Sequence, residues 1–439
     1  MGVKGVLKNV RRDGVQVTYA MHKIRKLGRT EQARAQKKAL DEKIKQSNKV
    51  LRARYIKEVF PRVYKHECRK PIQRKVVIMD RGATLSTNFP YLIRYLKAHT
   101  NFKIDVHVLK LGHIPTKYYY RKAVRFVRAA ATAQAIFVCT ANDIMGYFEL
   151  RPETTYVQLW HGCGAFKRFG LSTIDKKFGK TPASHAEYPV NTNYDYVTIS
   201  SPEISWLYEE AMAIDKDSGV IAPIGVSRTD VFFDQRYIDQ ARRKIEQAIP
   251  ATKDKKIILY APTFRGQVAK ATSPNRLDIA LLAHSLGSDY VLIVKHHQVV
   301  KTLPAIPEAC RDSFAFDMTR GKDIDINELM TLADILITDY SSVAFEYSLF
   351  ERPMIFFAFD LEDYIDYRGM YYEYGEITPG PVVKTSEEVL DHILHIEDRF
   401  DRQEVIDFKN RFMSACDGHS TERIVRLIDD THQGQARDQ

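Results

Sequence analysis

The chain has no run of eighteen or more apolar residues, so no segment is expected to cross a bilayer as a helix. Its first residues carry charge, with no unbroken apolar stretch leading to a small-residue cleavage site, so a secretory signal is not expected there. Met1-Gly2 opens the chain, but Val6 stands where N-myristoylation calls for Ser or Thr. Five cysteines (Cys68, Cys139, Cys163, Cys310 and Cys416) are scattered through 439 residues without a CxxC pair. That spacing excludes a disulfide framework and a zinc cluster, and it favours a reducing compartment. Also missing are a Walker lysine loop, a GxSxG elbow and a GxGxxG after the first strand-like run. The familiar phosphate-loop, serine-hydrolase and dinucleotide signatures are therefore excluded.

What the chain does have is an uneven charge. The net charge is +11, but residues 1–75 hold 23 Lys and Arg against 6 Asp and Glu. A segment of +17 thus precedes a body of −6. Such a segment binds anions, either nucleic acid or an anionic lipid surface, and no nucleic-acid module follows it. In residues 1–12, Val3, Val6, Leu7 and Val10 share one helical face, with Lys4, Lys8, Arg11 and Arg12 largely opposite. This is the pattern of a short basic helix at a membrane interface, weakened by Gly2 and Gly5. Residues 30–64 read as a longer helix with Leu40, Ile44, Leu51, Tyr55 and Val59 on one stripe. That stripe is expected to touch a membrane surface or to pack on the body.

After Pro71, short β-branched runs alternate with helical stretches. Strands are predicted at 75–80, 103–111, 135–140 and 154–160, with helices at 88–99 and 118–133. A second series starts near Ala222, with strands at 257–262, 290–296, 334–339, 353–359 and 381–384. This rhythm predicts an α/β fold of two doubly wound Rossmann-type domains facing a cleft. The expected division is a basic helical extension at 1–70, a first domain at 71–215 and a second at 216–430, with the final helix packing back.

Ligands of such sheets bind beyond the carboxyl ends of the strands, and four unusual motifs fall there. WHGCGAFKRFG (160–170) puts His161 at a strand end as a candidate general base. Gly162 and Gly164 flank it, and Lys167 and Arg168 follow as phosphate-binding cations. YAPTFRG (260–266) offers the Thr263 hydroxyl and the Arg265 guanidinium as direct phosphate contacts. VKHHQVV (294–300) offers Lys295 as a phosphate-binding cation together with His296 and His297, of which alternation aims one histidine at a cleft. No third ligand stands at metal spacing, so zinc is not expected; no cofactor is implied, and dependence on a divalent metal stays open. DILITDYSSVAFEYSLFERP (334–353) ends a strand at Asp339 and opens a helix with Ser341 and Ser342 as N-cap residues, an anion site. Glu346, one turn on, is placed to hold ribose hydroxyls.

Together these motifs resemble the CDP-glycerol:poly(glycerophosphate) glycerophosphotransferases of wall teichoic acid and capsule synthesis. The resemblance runs over residues 74–430. IGVSRTDVFF (224–233), with Ser227 in place of a proline, ADILITDYSSVAFEYSLFERPMIFF (333–357) and TPGPVVKT (378–385) are similar to family segments. The resemblance implies a GT-B fold with the donor site in the second half and acceptor groups from the first. It also implies two catalytic histidines, His161 and His297, the latter with Gln298 where the family has proline. Ser341 and Ser342 would receive the phosphates of CDP-glycerol or CDP-ribitol. The acceptor would be an undecaprenyl-linked polymer at the cytoplasmic face of an anionic membrane. Two other readings stay open: a GT-B glycosyltransferase using a nucleotide sugar, and a membrane-docked scaffold without catalysis.

Overall fold

The computed structural model describes residues 31–82, 84–110, 116–174, 176–177, 186–320 and 324–435. The basic helix expected at residues 1–12 lies outside them. The chain forms two compact units, but they are not contiguous. The first takes residues 1–161, 183–197 and 424–439, and the second takes 162–182 and 198–423. The loop after His161 therefore belongs with the second unit, and most of the last helix belongs with the first.

The first sheet has strands β1 (Gln73–Asp80), β2 (Lys103–Val108), β3 (Ala133–Val138), β4 (Thr155–Gln158), β5 (Tyr196–Thr198) and β6 (Ile221–Ala222). They lie in the order β2-β1-β3-β4-β5-β6. β1 pairs in parallel with β2 and β3, and β3 with β4. All six residues of β3 are buried, as are the last six of β1. Such unbroken runs are what a sheet covered on both faces requires. The chain goes from β1 out to β2 and returns to β3 on the other side, so β1 and β3 flank a switch point.

The N-terminal helical run extends from Glu31–Arg54 through a π-helical turn, Tyr55–Val59, into Phe60–Glu67. Its apolar stripe is buried from Leu51 onward and only half-buried at Leu40 and Ile44. Tyr55 stacks on Tyr120 with ring centroids 4.0 Å apart, and Tyr64 stacks on Phe148 at 4.5 Å. Arg52 donates to Asp143 at 2.8 Å. The second half of this run is thus committed to its own unit, while Lys37, Lys38, Lys43, Lys45 and Lys49 stay exposed. Within the same unit, Gln134 donates to the carbonyl of Ile428 at 3.2 Å, and Arg74 pairs with Asp429 at 3.5 Å. These contacts hold the last helix, Ser420–Gln435.

The second sheet has strands β7 (Lys256–Tyr260), β8 (Tyr290–Val294), β9 (Ala315–Asp317), β10 (Ile335–Thr338), β11 (Met354–Phe357) and β12 (Val382–Val383). Their order is β12-β11-β10-β7-β8-β9. All the neighbouring pairs in this sheet are parallel. The sheet therefore switches direction between β7 and β10. Ile258, Leu292, Ile337 and Ile355 join one buried cluster across it. Capping boxes start two of its helices: Asp325 with Glu328, and Thr385 with Glu388.

Candidate active site

In the first unit the site is built around His161. Trp160 sits in the left-handed region at φ 55°, which turns the chain sharply at the end of β4. Its N–H is held by Gln158 Oε1 at 3.0 Å, and Gln158 Nε2 in turn donates to the Tyr194 hydroxyl at 2.9 Å. The Trp160 ring lies 4.4 Å from the exposed His161 ring. His161 Nδ1 lies 3.0 Å from the carbonyl oxygen of Cys139, just beyond β3. A carbonyl can only accept, so this bond fixes the neutral-ring proton on Nδ1 and makes Nε2 the basic nitrogen. Asp80, at the end of β1, accepts from the N–H groups of Gly82 (3.1 Å) and Ser86 (2.6 Å). It also receives the Cys139 thiol at 3.8 Å, and burial pushes that thiol up to about 12. His161 is thus anchored at the switch point of its sheet.

In the second unit β8, β7, β10 and β11 are adjacent and parallel, so Lys295–His297, Thr263–Arg265, Asp339–Ser342 and Asp360 emerge at one edge. Asp339 organises it. Its Oδ1 accepts from the N–H groups of Thr263 (2.8 Å) and Tyr340 (2.7 Å), and its Oδ2 accepts from Arg265 at 2.9 Å. Arg265 also bonds both oxygens of Asp360, at 2.6 and 2.8 Å, and the carbonyl of Thr263 at 2.6 Å. The Tyr340 hydroxyl completes the network on Asp360 at 2.9 Å. The sequence pattern gave Arg265 a direct phosphate contact. Its fork instead engages two carboxylates, which makes it a clamp across β7, β10 and β11. The Thr263 hydroxyl is buried without a hydrogen-bond partner among the described residues, a costly state that a ligand would relieve.

The two histidines after β8 divide as alternation requires. His296 is buried, with Nδ1 2.5 Å from the Ser273 hydroxyl, and burial pushes its pKa down. His297 is exposed, 5.0 Å from the ring of Phe264, and its Nδ1 accepts from the N–H of Val299 at 3.3 Å. Lys295, expected to meet phosphate, donates to the carbonyls of Met318 (2.6 Å) and Ile324 (2.8 Å) and so ties two loops together.

Ser341 and Ser342 precede a helix of five residues, Val343–Tyr347. Contrary to the N-cap expectation, the Ser342 side chain makes no cap bond, and Ser341 Oγ meets the Val343 N–H only at 3.4 Å. Glu346, expected to hold ribose, is fully buried and ion-paired with Arg228. The aspartate two residues after Arg228 is structural. Asp230 accepts from the N–H groups of Ser420 (3.1 Å) and Thr421 (2.6 Å).

The glycines after His161 serve close approach rather than backbone freedom, because neither has a positive φ. A Cβ on Gly162 would meet Ser342 Oγ at 3.5 Å, and one on Gly164 would meet the Phe345 ring at 2.4 Å. Phe345 packs among Phe166, Phe408 and Phe412. Gly164→Ala is therefore expected to cost about 1–3 kcal/mol, read as a lower urea midpoint with an unchanged slope.

Farther along the loop, Arg168 pairs with Glu210 at 3.3 Å, and its N–H donates to the carbonyl of Gly369 at 3.0 Å. Lys167 lies in the field of Asp339, Arg265 and Arg368. Burial, reinforced first by Arg368, pushes its pKa from the ordinary 10.5 down to about 7. The unfolded chain then holds this proton from pH 7 to 10.5 while the folded chain has released it, so folding gains stability as pH rises through that window. Lys167→Met is expected to flatten the rise, measured as urea midpoints at pH 7, 8.5 and 10.

Among the described residues, no group of three or more His, Cys, Asp and Glu side chains could hold a metal ion. None of their helices is long and apolar enough to cross a membrane. The residues that sequence patterns missed are Gln158, Asp80, Arg228, Asp360 and Arg368. Of these, only Asp360 carried a usable signal, as an acid just after a strand.

Comparison with known proteins agrees with this architecture. The chain belongs to the CDP-glycerol:poly(glycerophosphate) glycerophosphotransferase family, whose model matches residues 62–430. It is 34% identical over 389 residues to the teichoic acid ribitol-phosphate primase of Bacillus spizizenii, covering 87% of this chain and 97% of that protein. It is also 34% identical to the teichoic acid poly(ribitol-phosphate) polymerase of the same organism, over 82% of this chain but only 56% of that protein. The chain thus spans little more than half of that longer relative. Among solved structures, the wall teichoic acid polymerase TagF superposes with a TM-score of 0.69 at 24% identity. That match covers 89% of this chain and 96% of the other, and it places the fold in the GT-B-like class.

Proposed function

We propose that the chain transfers a polyol phosphate from a CDP-polyol to a hydroxyl of a teichoic acid acceptor and releases CMP. The observation that carries this reading is a histidine whose tautomer is fixed by the Cys139 carbonyl at the switch point of its own sheet; a hydroxyl-rich edge on the other sheet, with the Thr263 hydroxyl unsatisfied, supports it separately. The similarity to polyol-phosphate primases and polymerases supports the same reaction. His161 Nε2 takes the proton of the acceptor hydroxyl. That oxygen attacks the phosphorus next to the polyol, and the bond from phosphorus to the CMP oxygen breaks. Ser341, Ser342 and the unsatisfied Thr263 hydroxyl receive the donor phosphates, while His297 offsets charge on the leaving CMP. Arg265, held by Asp339 and Asp360, keeps Thr263 and the serine turn in place. Transfer of this kind depends on positioning and charge stabilisation.

The exposed lysines of the N-terminal helix suit an anionic membrane surface, where an undecaprenyl-linked acceptor would lie. Incubation with CDP-glycerol or CDP-ribitol and a lipid-linked glycerophosphate acceptor tests the reaction. Release of CMP with products heavier by one polyol phosphate is the expected result, and the donor that works names the polyol. Absence of CMP from both donors, with an acceptor of proven competence, rejects the reading. Glycoside formation with release of a nucleoside diphosphate from a nucleotide sugar would replace it.

A further inference from the structure

The helix Thr116–Ala130, between β2 and β3 of the first unit, contains five cations and no Asp or Glu. Ala123, Val124, Phe126 and Val127 are buried against the sheet, whereas Arg121, Lys122, Arg125 and Arg128 are exposed. Beside it lies the end of the N-terminal helical run. Tyr55 stacks on Tyr120 and Glu67 pairs with Arg128 at 3.5 Å, so the two helices lie side by side in the same direction. Arg62 and Lys65 are exposed on that neighbour, together with one acid, Glu58, while Glu67 is buried and shared with Lys70. Arg62, Lys65, Arg121, Lys122 and Arg125 form no ion pair among the described residues.

The direction of this helix ties it to the reaction. β2 and β3 both lie parallel to β1, so the helix that joins them runs back against the strands, from their carboxyl edge to their amino edge. His161 stands at that carboxyl edge, bonded to the carbonyl just beyond β3. The row of cations therefore leads away from the edge that carries His161, over about 10 Å from Arg121 to Arg128. A surface made for a bilayer inserts apolar side chains beside its cations. Of the described residues of this helix only Tyr118 is large, apolar and exposed, at 45%, and it stands near the His161 end, before the arginines. Charge without apolar surface suits a flexible polyanion in water, held through release of its counterions. A chain of polyol phosphates is such a polyanion, with one negative charge in each linkage.

We propose that this row is a track for the acceptor: a poly(polyol phosphate) chain whose free end reaches His161 while earlier phosphates lie along Arg121, Lys122 and Arg125. The assignment rests on the transfer reading above and makes its acceptor one that already carries several polyol-phosphate units. Phosphates held behind the reacting end raise the local concentration of the terminal hydroxyl at His161.

Fluorescence anisotropy with the full chain tests this, using dye-labelled, lipid-free oligomers of glycerol phosphate and of ribitol phosphate. At least one series is expected to bind, more tightly as the oligomer lengthens and less tightly as salt rises. Arg121→Gln with Arg125→Gln should weaken the longest oligomer about tenfold and lower the slope of log affinity against log salt by roughly 1.4, the loss of two phosphate contacts. The thermal midpoint should stay unchanged, since both positions are exposed. Arg121→Lys with Arg125→Lys should keep most of the affinity, and Lys43→Gln with Lys49→Gln, exposed on the first helix, should keep all of it. Vesicles of phosphatidylglycerol and phosphatidylcholine should bind the glutamine variant of the arginines as they bind the unaltered chain. Neither series binding, affinity indifferent to oligomer length, or affinity unchanged in that variant would each overturn the proposal. Loss of vesicle binding with oligomer binding intact would make the row a membrane surface instead. A single-stranded oligothymidylate that bound more tightly than every polyol-phosphate oligomer through the same arginines would assign it to nucleic acid. These titrations contain no donor, so they stand apart from the transfer reading, which fails when CMP is not released.

Discussion

Replacing His161 by alanine should lower turnover by about two to four orders of magnitude, the range for loss of a positioned general base. The thermal midpoint should hardly move. The ring is exposed, and the Nδ1 bond to the Cys139 carbonyl at 3.0 Å is made at the surface. His161→Asn sharpens the test, because its side-chain amide can still donate to that carbonyl but offers no base. It should therefore be as inactive as the alanine variant. Near-normal CMP release from either protein would remove the histidine from the chemistry. Change confined to KM would make it a binding group instead.

The second large effect concerns stability. Glu346→Ala should destabilise the chain by about 3–5 kcal/mol, because it leaves the Arg228 guanidinium buried without its carboxylate. Glu346 is 1% exposed and the Arg228 side chain 12% exposed, so water is poorly placed to compensate. Arg228 Nε and Glu346 Oε2 have no further partner among the described residues, so the pair is the main support each has. The paired change Arg228→Met with Glu346→Leu should recover much of the loss, since apolar replacement of a buried ion pair is often close to neutral. Urea unfolding of both variants beside the unaltered chain measures this. A Glu346→Ala protein of normal stability but weakened CDP-polyol binding would restore the ribose role that the sequence pattern suggested.

The outline of this fold was legible because its strands announce themselves. Runs such as VVIM and ILI are apolar at every position, as a parallel sheet covered on both faces demands. β5, β6 and β9 escaped, each of only two or three residues, whereas the equally short β12 was readable from the PVVK run around it. Residue types at the strand ends were equally readable, which is why His161, Thr263, Ser341 and Ser342 stood out. Their partners were not. Arg265 and Lys295 are both cations just beyond a strand, and both read as phosphate ligands. What the pattern could not show is that they already bond Asp360 and the carbonyls of Met318 and Ile324, which are 23 to 95 residues away in sequence. Local pattern reports which groups reach an edge, but their long-range partners decide whether they still have capacity there. The non-contiguous units were hidden for the same reason. Nothing local to residues 162–174 shows that they belong with the second sheet.

The left-handed backbone at Trp160 has an evolutionary consequence. A side chain in that conformation is strained by about 1–2 kcal/mol relative to glycine. Trp160→Gly would remove the strain and would also remove the indole beside the His161 ring. A search for hardier variants should thus be drawn to position 160, and it would find thermal robustness exchanged for catalytic speed.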